Sequence, residues 1–124
     1  MQIEQYDGSM LIRVDPSSAI PLFEQLAAAV RSEVLRQSVV AGERLPSARD
    51  LAESLDLNVH TVLRGYQLLR DEGLIDLRRG RGAVVTDHAR NYAALAAVLP
   101  QLVAEAKRLN LSPTALAALI REAY

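Results

Sequence analysis

The sequence has no cysteine, which excludes a disulfide framework and thiolate metal sites. It has only two histidines, His60 and His88, too few for a multi-histidine metal centre. No apolar run approaches the length needed to cross a bilayer, and the opening MQIEQYDG lacks the basic-then-apolar pattern of a secretory signal. A soluble cytoplasmic chain is expected, with no membrane partner. Nucleophile–base pairs, phosphate loops and metal clusters are also missing from the pattern. Carboxylates such as Glu24, Glu33 and Glu53 fall on ordinary helix surfaces. An enzyme is therefore not expected, and neither a cofactor nor a metal. Lysine is nearly absent: Lys107 is the exception among 14 basic residues, the rest being arginine. Arginine suits bidentate contacts to phosphate and guanine.

The chain has 124 residues, 50% of them apolar, enough for one small domain with a real core and an appendage. The net charge of −1 does not by itself suggest a polyanion partner. Clustering of the basic residues matters more than their sum.

The central stretch is Asn58 to Gly73, NVHTVLRGYQLLRDEG. Val62, Tyr66 and Leu69 recur at helical period and form one apolar stripe. Asn58 suits the N-cap, and Gly73 suits the left-handed position past the C-terminus. Gly65 lies at the edge of the stripe, where a missing side chain admits another helix. The opposite face carries His60, Thr61, Arg64 and Gln67, hydrogen-bonding groups gathered at the leading end. In isolation a solvated surface is the commoner explanation of such a face; the flanking elements favour a helix that enters a major groove.

Residues 1–9 carry no convincing pattern and are expected to form a frayed, disordered arm. Met10 to Val14 predicts a strand or an extended arm, and Asp15-Pro16-Ser17-Ser18 ends it. A first helix is predicted over about Leu22 to Gln37, with Pro21 in its first turn and Leu22, Leu26, Val30 and Val34 facing the core. Ser47 and Asp50 have capping-box spacing, which starts a second helix over about Ala48 to Ser54 that buries Leu51, Ala52 and Leu55. Arg49, taken alone, would pair with Glu53 at i+4. The connection Asp56-Leu57-Asn58 holds no glycine, so Asp56 is expected to be left-handed. Two short helices, this turn and a polar-fronted second helix make a helix-turn-helix.

After Gly73 the period becomes two. Ile75, Leu77, Ala83 and Val85 alternate with Asp76, Arg78, Val84 and Thr86 around Arg79-Gly80-Arg81-Gly82. This predicts a β-hairpin with Arg78, Arg79 and Arg81 at its tip and no acidic residue close enough to neutralise them, although Asp76 is near. A phosphate backbone or minor groove would relieve their repulsion, while a solvated turn would only screen it.

Residues 19–86 resemble the GntR family of bacterial transcriptional regulators. The resemblance is carried by Pro21-Leu22-Phe23-Glu24-Gln25-Leu26, by Gly42-Glu43-Arg44-Leu45-Pro46-Ser47-Ala48-Arg49-Asp50-Leu51-Ala52, by Thr61-Val62, Tyr66 and Leu69, and by Glu72-Gly73-Leu74-Ile75 with Arg79-Gly80-Arg81-Gly82. Ile12 to Leu22, Tyr66 and the short tail are more similar to the YtrA-like subfamily than to other branches. The resemblance implies operator contacts by Arg49 and Thr61, with Arg64 one turn further on, and minor-groove entry by Arg79 and Gly80. The chain departs from subfamily pattern at Asn58-Val59-His60-Thr61, where Asn-Pro-Asn-Thr is usual, and at Gly65, where alanine is usual. His60 in place of an amide implies different base preferences or a phosphate contact.

His88 to Tyr124 is rich in alanine and leucine. Leu95, Val98, Leu99, Leu102 and Val103 recur at three- and four-residue spacing. Pro100 is expected to kink this helix or to start a second one. Ser112-Pro113 is a strong helix start, and Leu116, Leu119 and Ile120 give the last helix an apolar face. So short a tail cannot bury these faces alone; they must pack on the winged domain or on a second copy, and a two-fold dimer is the expected outlet. It is too short for the effector and aminotransferase-like domains of other GntR branches, so no pyridoxal phosphate chemistry is implied.

The expected fold is mainly α with a small β-wing: a winged helix-turn-helix over 1–86 and a helical dimerisation region over 87–124. The expected function is a homodimeric, sequence-specific transcriptional regulator, a repressor reading a palindromic operator in double-stranded DNA. Its DNA-binding set is Ser47, Arg49, Asn58, His60, Thr61, Arg64, Arg78, Arg79, Gly80 and Arg81. Its dimerisation set is Leu95, Val98, Leu99, Leu102, Val103, Leu116, Leu119 and Ile120. A small-molecule effector is left open. The alternative is a winged helix that binds protein, favoured by the acidic pair Asp71–Glu72 and disfavoured by the Arg-Gly tip.

Overall fold

The computed structural model describes residues 2–6, 10–79 and 82–124. Its contacts divide the chain into two units, Met1–Tyr92 and Ala93–Tyr124. The division falls six residues after the expected 86/87 boundary. The reason is a 3₁₀ turn, Asp87–Asn91, that seats Ala89 and Tyr92 on the core of the first unit.

In the first unit, β1 (Gln2–Tyr6) pairs antiparallel with β2 (Met10–Val14), from Gln2 opposite Val14 to Tyr6 opposite Met10. The frayed arm expected over 1–9 is thus corrected for Gln2–Tyr6. Backbone pairing to a neighbouring strand, not a hydrophobic period of its own, orders this segment. In β2, Ile12 and Val14 are buried and Arg13 between them is exposed, the alternation of a half-buried strand.

A polar knot joins β2 to the next helix. Asp15 Oδ1 accepts from Ser17 N and Oγ at 3.0 and 2.6 Å. Gln25 Nε2 donates to the carbonyls of Asp15 and Ile20, and its Oε1 accepts from Asp15 N. The Ser17 hydrogen bonds hold the Asp15 carboxyl below the ordinary carboxylate range.

Helix α1 (Leu22–Leu35) buries Leu26, Ala27, Val30 and Val34, and also Glu33, which was expected on the surface and pairs with Arg36. Pro21 sits at the N-cap with extended backbone, one residue before the first turn where it was expected. The helix ends at Leu35, two residues short of the expected Gln37, which turns left-handed. There the amides of Ser38 and Val39 close on the Glu33 carbonyl. A two-residue strand β3 (Arg44–Leu45) follows, then α2 (Ala48–Leu55), whose N-cap Ser47 accepts from Asp50 N. Asp56 takes φ 55°, as its place in a glycine-free turn demanded, and Leu57 N reaches back to the Ala52 carbonyl.

Helix α3 (Val59–Asp71) buries Val62, Gly65, Tyr66 and Leu69 against α1 and α2. Its C-terminus turns through Gly73 at φ 82°. Strands β4 (Ile75–Arg78) and β5 (Gly82–Val85) form the hairpin, and β3 adds to its other edge in the order β3-β5-β4. Arg44 and Leu45 pair with Val84 and Ala83, making the wing three-stranded. Thr86 closes it by donating to the Gly73 carbonyl at 2.6 Å. Burial of Leu26, Leu51, Leu55, Leu69, Leu74 and Ile75 drives assembly, each side chain contributing about 1.5–3 kcal/mol.

Helix α4 (Tyr92–Arg108) leads into the second unit, where α5 (Pro113–Ala123) starts from Ser112, which accepts from Ala115 N. Pro100 lies inside α4 and starts no new helix, contrary to one of the two expected outcomes. It removes one hydrogen bond, but the alanine-rich turns before it are strong helix formers and carry the helix through. Among the described residues, α4 buries Ala106 and α5 buries none.

Candidate nucleic-acid interface

Three elements bring the expected DNA-binding residues together. The first is the start of α3. Asn58 Oδ1 accepts from His60 N at 2.8 Å, so the side chain is committed as a cap and keeps its NH2 as a donor. His60 and Arg64 are exposed and Thr61 is half-buried. With Leu22 and Phe23 of α1, the four residues Asn58, His60, Thr61 and Arg64 line one cleft of about 370 Å³.

The second is the start of α2. Ser47 Oγ accepts from Asp50 N at 3.1 Å, which leaves its hydroxyl proton to donate elsewhere. Arg49 is exposed. Among the described residues it makes no ion pair, so the expected bridge to Glu53 does not form.

The third is the wing. Gly82 runs against α2: a β-carbon there would stand 3.5 Å from Ser47 Cα. Leu63 and Tyr66 of α3 share a second cleft, of about 310 Å³, with Leu77, Arg78 and Arg79 of the wing. Tyr66 fixes the arrangement from beneath by donating its hydroxyl to the Pro46 carbonyl at 2.7 Å. Arg79 is exposed and, among the described residues, has no ion pair. Arg78 is different. Its Nη2 lies 3.5 Å from Asp76 Oδ2, so an acidic residue does reach the tip, contrary to expectation. The two side chains stand on the same edge strand, two residues apart, and project to the same face. Gly80 and Arg81 lie outside the described residues.

The reading from sequence missed two features. Arg44 is exposed, has no ion pair among the described residues, and stands in the wing sheet through β3. A two-residue strand has no period to reveal it. The other is Phe23, whose ring lies under the Arg64 guanidinium, with Arg64 Cζ 4.0 Å from the ring centroid. These residues are far apart in sequence and meet only when α1 packs on α3.

Within the acidic pair Asp71–Glu72, Glu72 has a structural role. Arg31 Nε and Nη2 donate to Glu72 Oε1 and Oε2 at 2.8 and 2.6 Å. This hydrogen bonding raises the Arg31 pKa. Nearby Tyr92 is also raised, first by burial and then by the Glu72 charge. Among the described residues no group of three or more histidine, cysteine, aspartate or glutamate side chains could hold a metal, and no helix is long and apolar enough to cross a membrane.

A helix-turn-helix with an open polar front, followed by an arginine-bearing wing, defines a winged helix-turn-helix DNA-binding domain. Residues 22–85 match the family of bacterial regulatory proteins, gntR family. The HTH-type transcriptional repressor YtrA of Bacillus subtilis is 35% identical over 80 residues, 64% of this chain and 62% of that protein. The HTH-type transcriptional regulator Rv1152 of Mycobacterium tuberculosis is 34% identical over 101 residues, 82% of this chain and 84% of that one. The solved structure of YtrA from Sulfolobus acidocaldarius, a GntR-family transcription factor, superposes with a TM-score of 0.59 at 32% identity, covering 75% of this chain and 97% of that one. The chain belongs to the GntR family of transcriptional regulators and is similar to its YtrA-type members.

Proposed function

We propose that the chain is a homodimeric repressor that reads a palindromic operator in the cytoplasm. The observation that carries the reading is the state of Arg49, Arg64 and Arg79. Each is exposed at the front of α2, α3 or the wing, and none has an ion pair among the described residues. In this reading Ser47, Arg49, Arg79, Gly80 and Arg81 fix the domain on phosphates and the minor groove. Asn58, His60, Thr61 and Arg64 address base edges in the major groove. Arg78 shares its charge with Asp76 and contributes less.

The homodimer is supported by the second unit. Leu95, Val98, Leu102, Val103, Leu119 and Ile120 are exposed, and Leu99 and Leu116 are only half-buried. An apolar surface of this kind on so short a helical pair calls for a second copy. Repression is supported by similarity to a relative named as a repressor.

The test is selection of random duplex DNA by the purified chain at physiological salt, with the mass in solution measured alongside. A two-fold symmetric motif and a dimeric mass are expected. An asymmetric motif or a monomer would overturn the dimer, and no enrichment would overturn sequence-specific reading. A reporter promoter carrying the selected motif should fall in output when the chain is expressed; a rise would overturn repression.

A further inference from the structure

We propose that Phe23 is a positioning residue for sequence readout, holding the Arg64 guanidinium for a guanine edge. The proposal rests on α3 as the reading helix. Arg64 lies over the Phe23 ring with 4.0 Å between Cζ and the centroid. A cation–π contact uses none of the guanidinium N–H donors in a hydrogen bond. Among the described residues Arg64 makes no hydrogen bond and no ion pair. Guanine O6 and N7 accept such a planar fork in bidentate fashion.

Phe23 is itself held in register with α3. Its carbonyl oxygen lies 3.0 Å from where a β-carbon on Gly65 would stand, so the first turn of α1 meets the α3 backbone beside Arg64. Both side chains line the cleft that also holds His60 and Thr61. A ring carried on a backbone that meets α3 at the next residue restricts the rotamers of Arg64 before any DNA is present. The loss of freedom that base reading requires is then partly taken in folding.

The experiment uses the full chain and the symmetric duplex enriched by the wild-type protein. Phe23→Leu is expected to weaken binding about two- to five-fold, the range of a partly exposed cation–π contact. Repeated selection with that variant should relax one base pair per half-site, the same one that Arg64→Ala relaxes. In the Arg64→Ala background, Phe23→Leu should have no further effect, and Phe23→Tyr should keep wild-type behaviour. Equal weakening in both backgrounds, or a uniform loss across sequences with no relaxed position, would make Phe23 a packing residue and overturn the proposal. Should Phe23→Leu melt below assay temperature, Phe23→Met carries the same comparison. No enriched duplex for the wild-type chain would overturn the reading of α3 and this proposal together. A wild-type motif with Phe23→Leu unchanged overturns this proposal alone.

Discussion

Arg31, in the middle of α1, grips Glu72 at the end of α3 with two hydrogen bonds of 2.8 and 2.6 Å. The two side chains are about one-third exposed, at 35% and 32%. The bridge ties the C-terminal end of the reading helix to the helix that lies behind it. Glu72 is therefore an internal clamp, while Asp71 stays exposed.

Glu72→Ala should lower stability by about 1 kcal/mol, the upper end for a surface pair, because the contact is bidentate and partly screened from solvent. Urea denaturation of the variant beside wild type and Arg31→Ala checks this. The double variant should lose less than the sum of the single ones. Unchanged midpoints in both single variants would show that the bridge contributes nothing.

Gly65 is constrained by contact with the α1 backbone. A β-carbon would meet both Leu26 Cδ2 and the Phe23 carbonyl at 3.0 Å; the leucine tip can swing aside, but the carbonyl cannot. Gly65→Ala gains about 1 kcal/mol of helix propensity and loses a similar amount to this crowding, so its midpoint should stay close to wild type. Gly65→Val should lose about 2 kcal/mol or more, since overpacking grows while the propensity gain shrinks. Thermal or urea melts would distinguish the two; a stable valine variant would mean that α1 and α3 separate easily.

The wing arginines should differ in their salt response. Arg79→Ala should reduce the slope of log K against log salt by about 0.9, one phosphate contact. Arg78→Ala should change it by less, because Asp76 already lies 3.5 Å from Arg78. Asp76→Asn should strengthen binding by freeing that charge. Titrations over a salt series on one duplex read all three, and equal slopes throughout would remove the wing from the interface.

Asp15 offers a pH readout. Its folded pKa is depressed by the Ser17 hydrogen bonds, so the turn's stabilisation is present above the unfolded carboxylate pKa. It is lost as pH falls through the depressed folded value. Ser17→Ala should move the Asp15 titration, followed by NMR of its carboxyl carbon, back toward the ordinary range. An unmoved titration would mean that the hydroxyl bond carries no weight.

The sequence by itself determined the elements whose free energy is local. Apolar spacing set α1, α2 and α3. Ser47, Asn58 and Ser112 marked helix starts, because a short polar side chain near free amides caps them in almost any context. Asp56 could be read as left-handed because no glycine was available to take that turn. Most of the basic front of the domain could be read as well, since cap and first-turn positions follow directly from the helix starts.

Tertiary structure decided whatever depends on a distant partner. Strand β3 exists only because Val84 and Ala83 offer it a ladder, and two residues carry no period of their own. Arg31 finds Glu72, and Arg64 finds Phe23, only because α1 crosses α3 at Gly65. Arg49 stays free of Glu53, although i,i+4 spacing allowed the pair, because an exposed ion pair gains too little to overcome side-chain entropy. Where the first unit ends, at Tyr92, was likewise decided by packing of the 3₁₀ turn on a core assembled from residues throughout that unit.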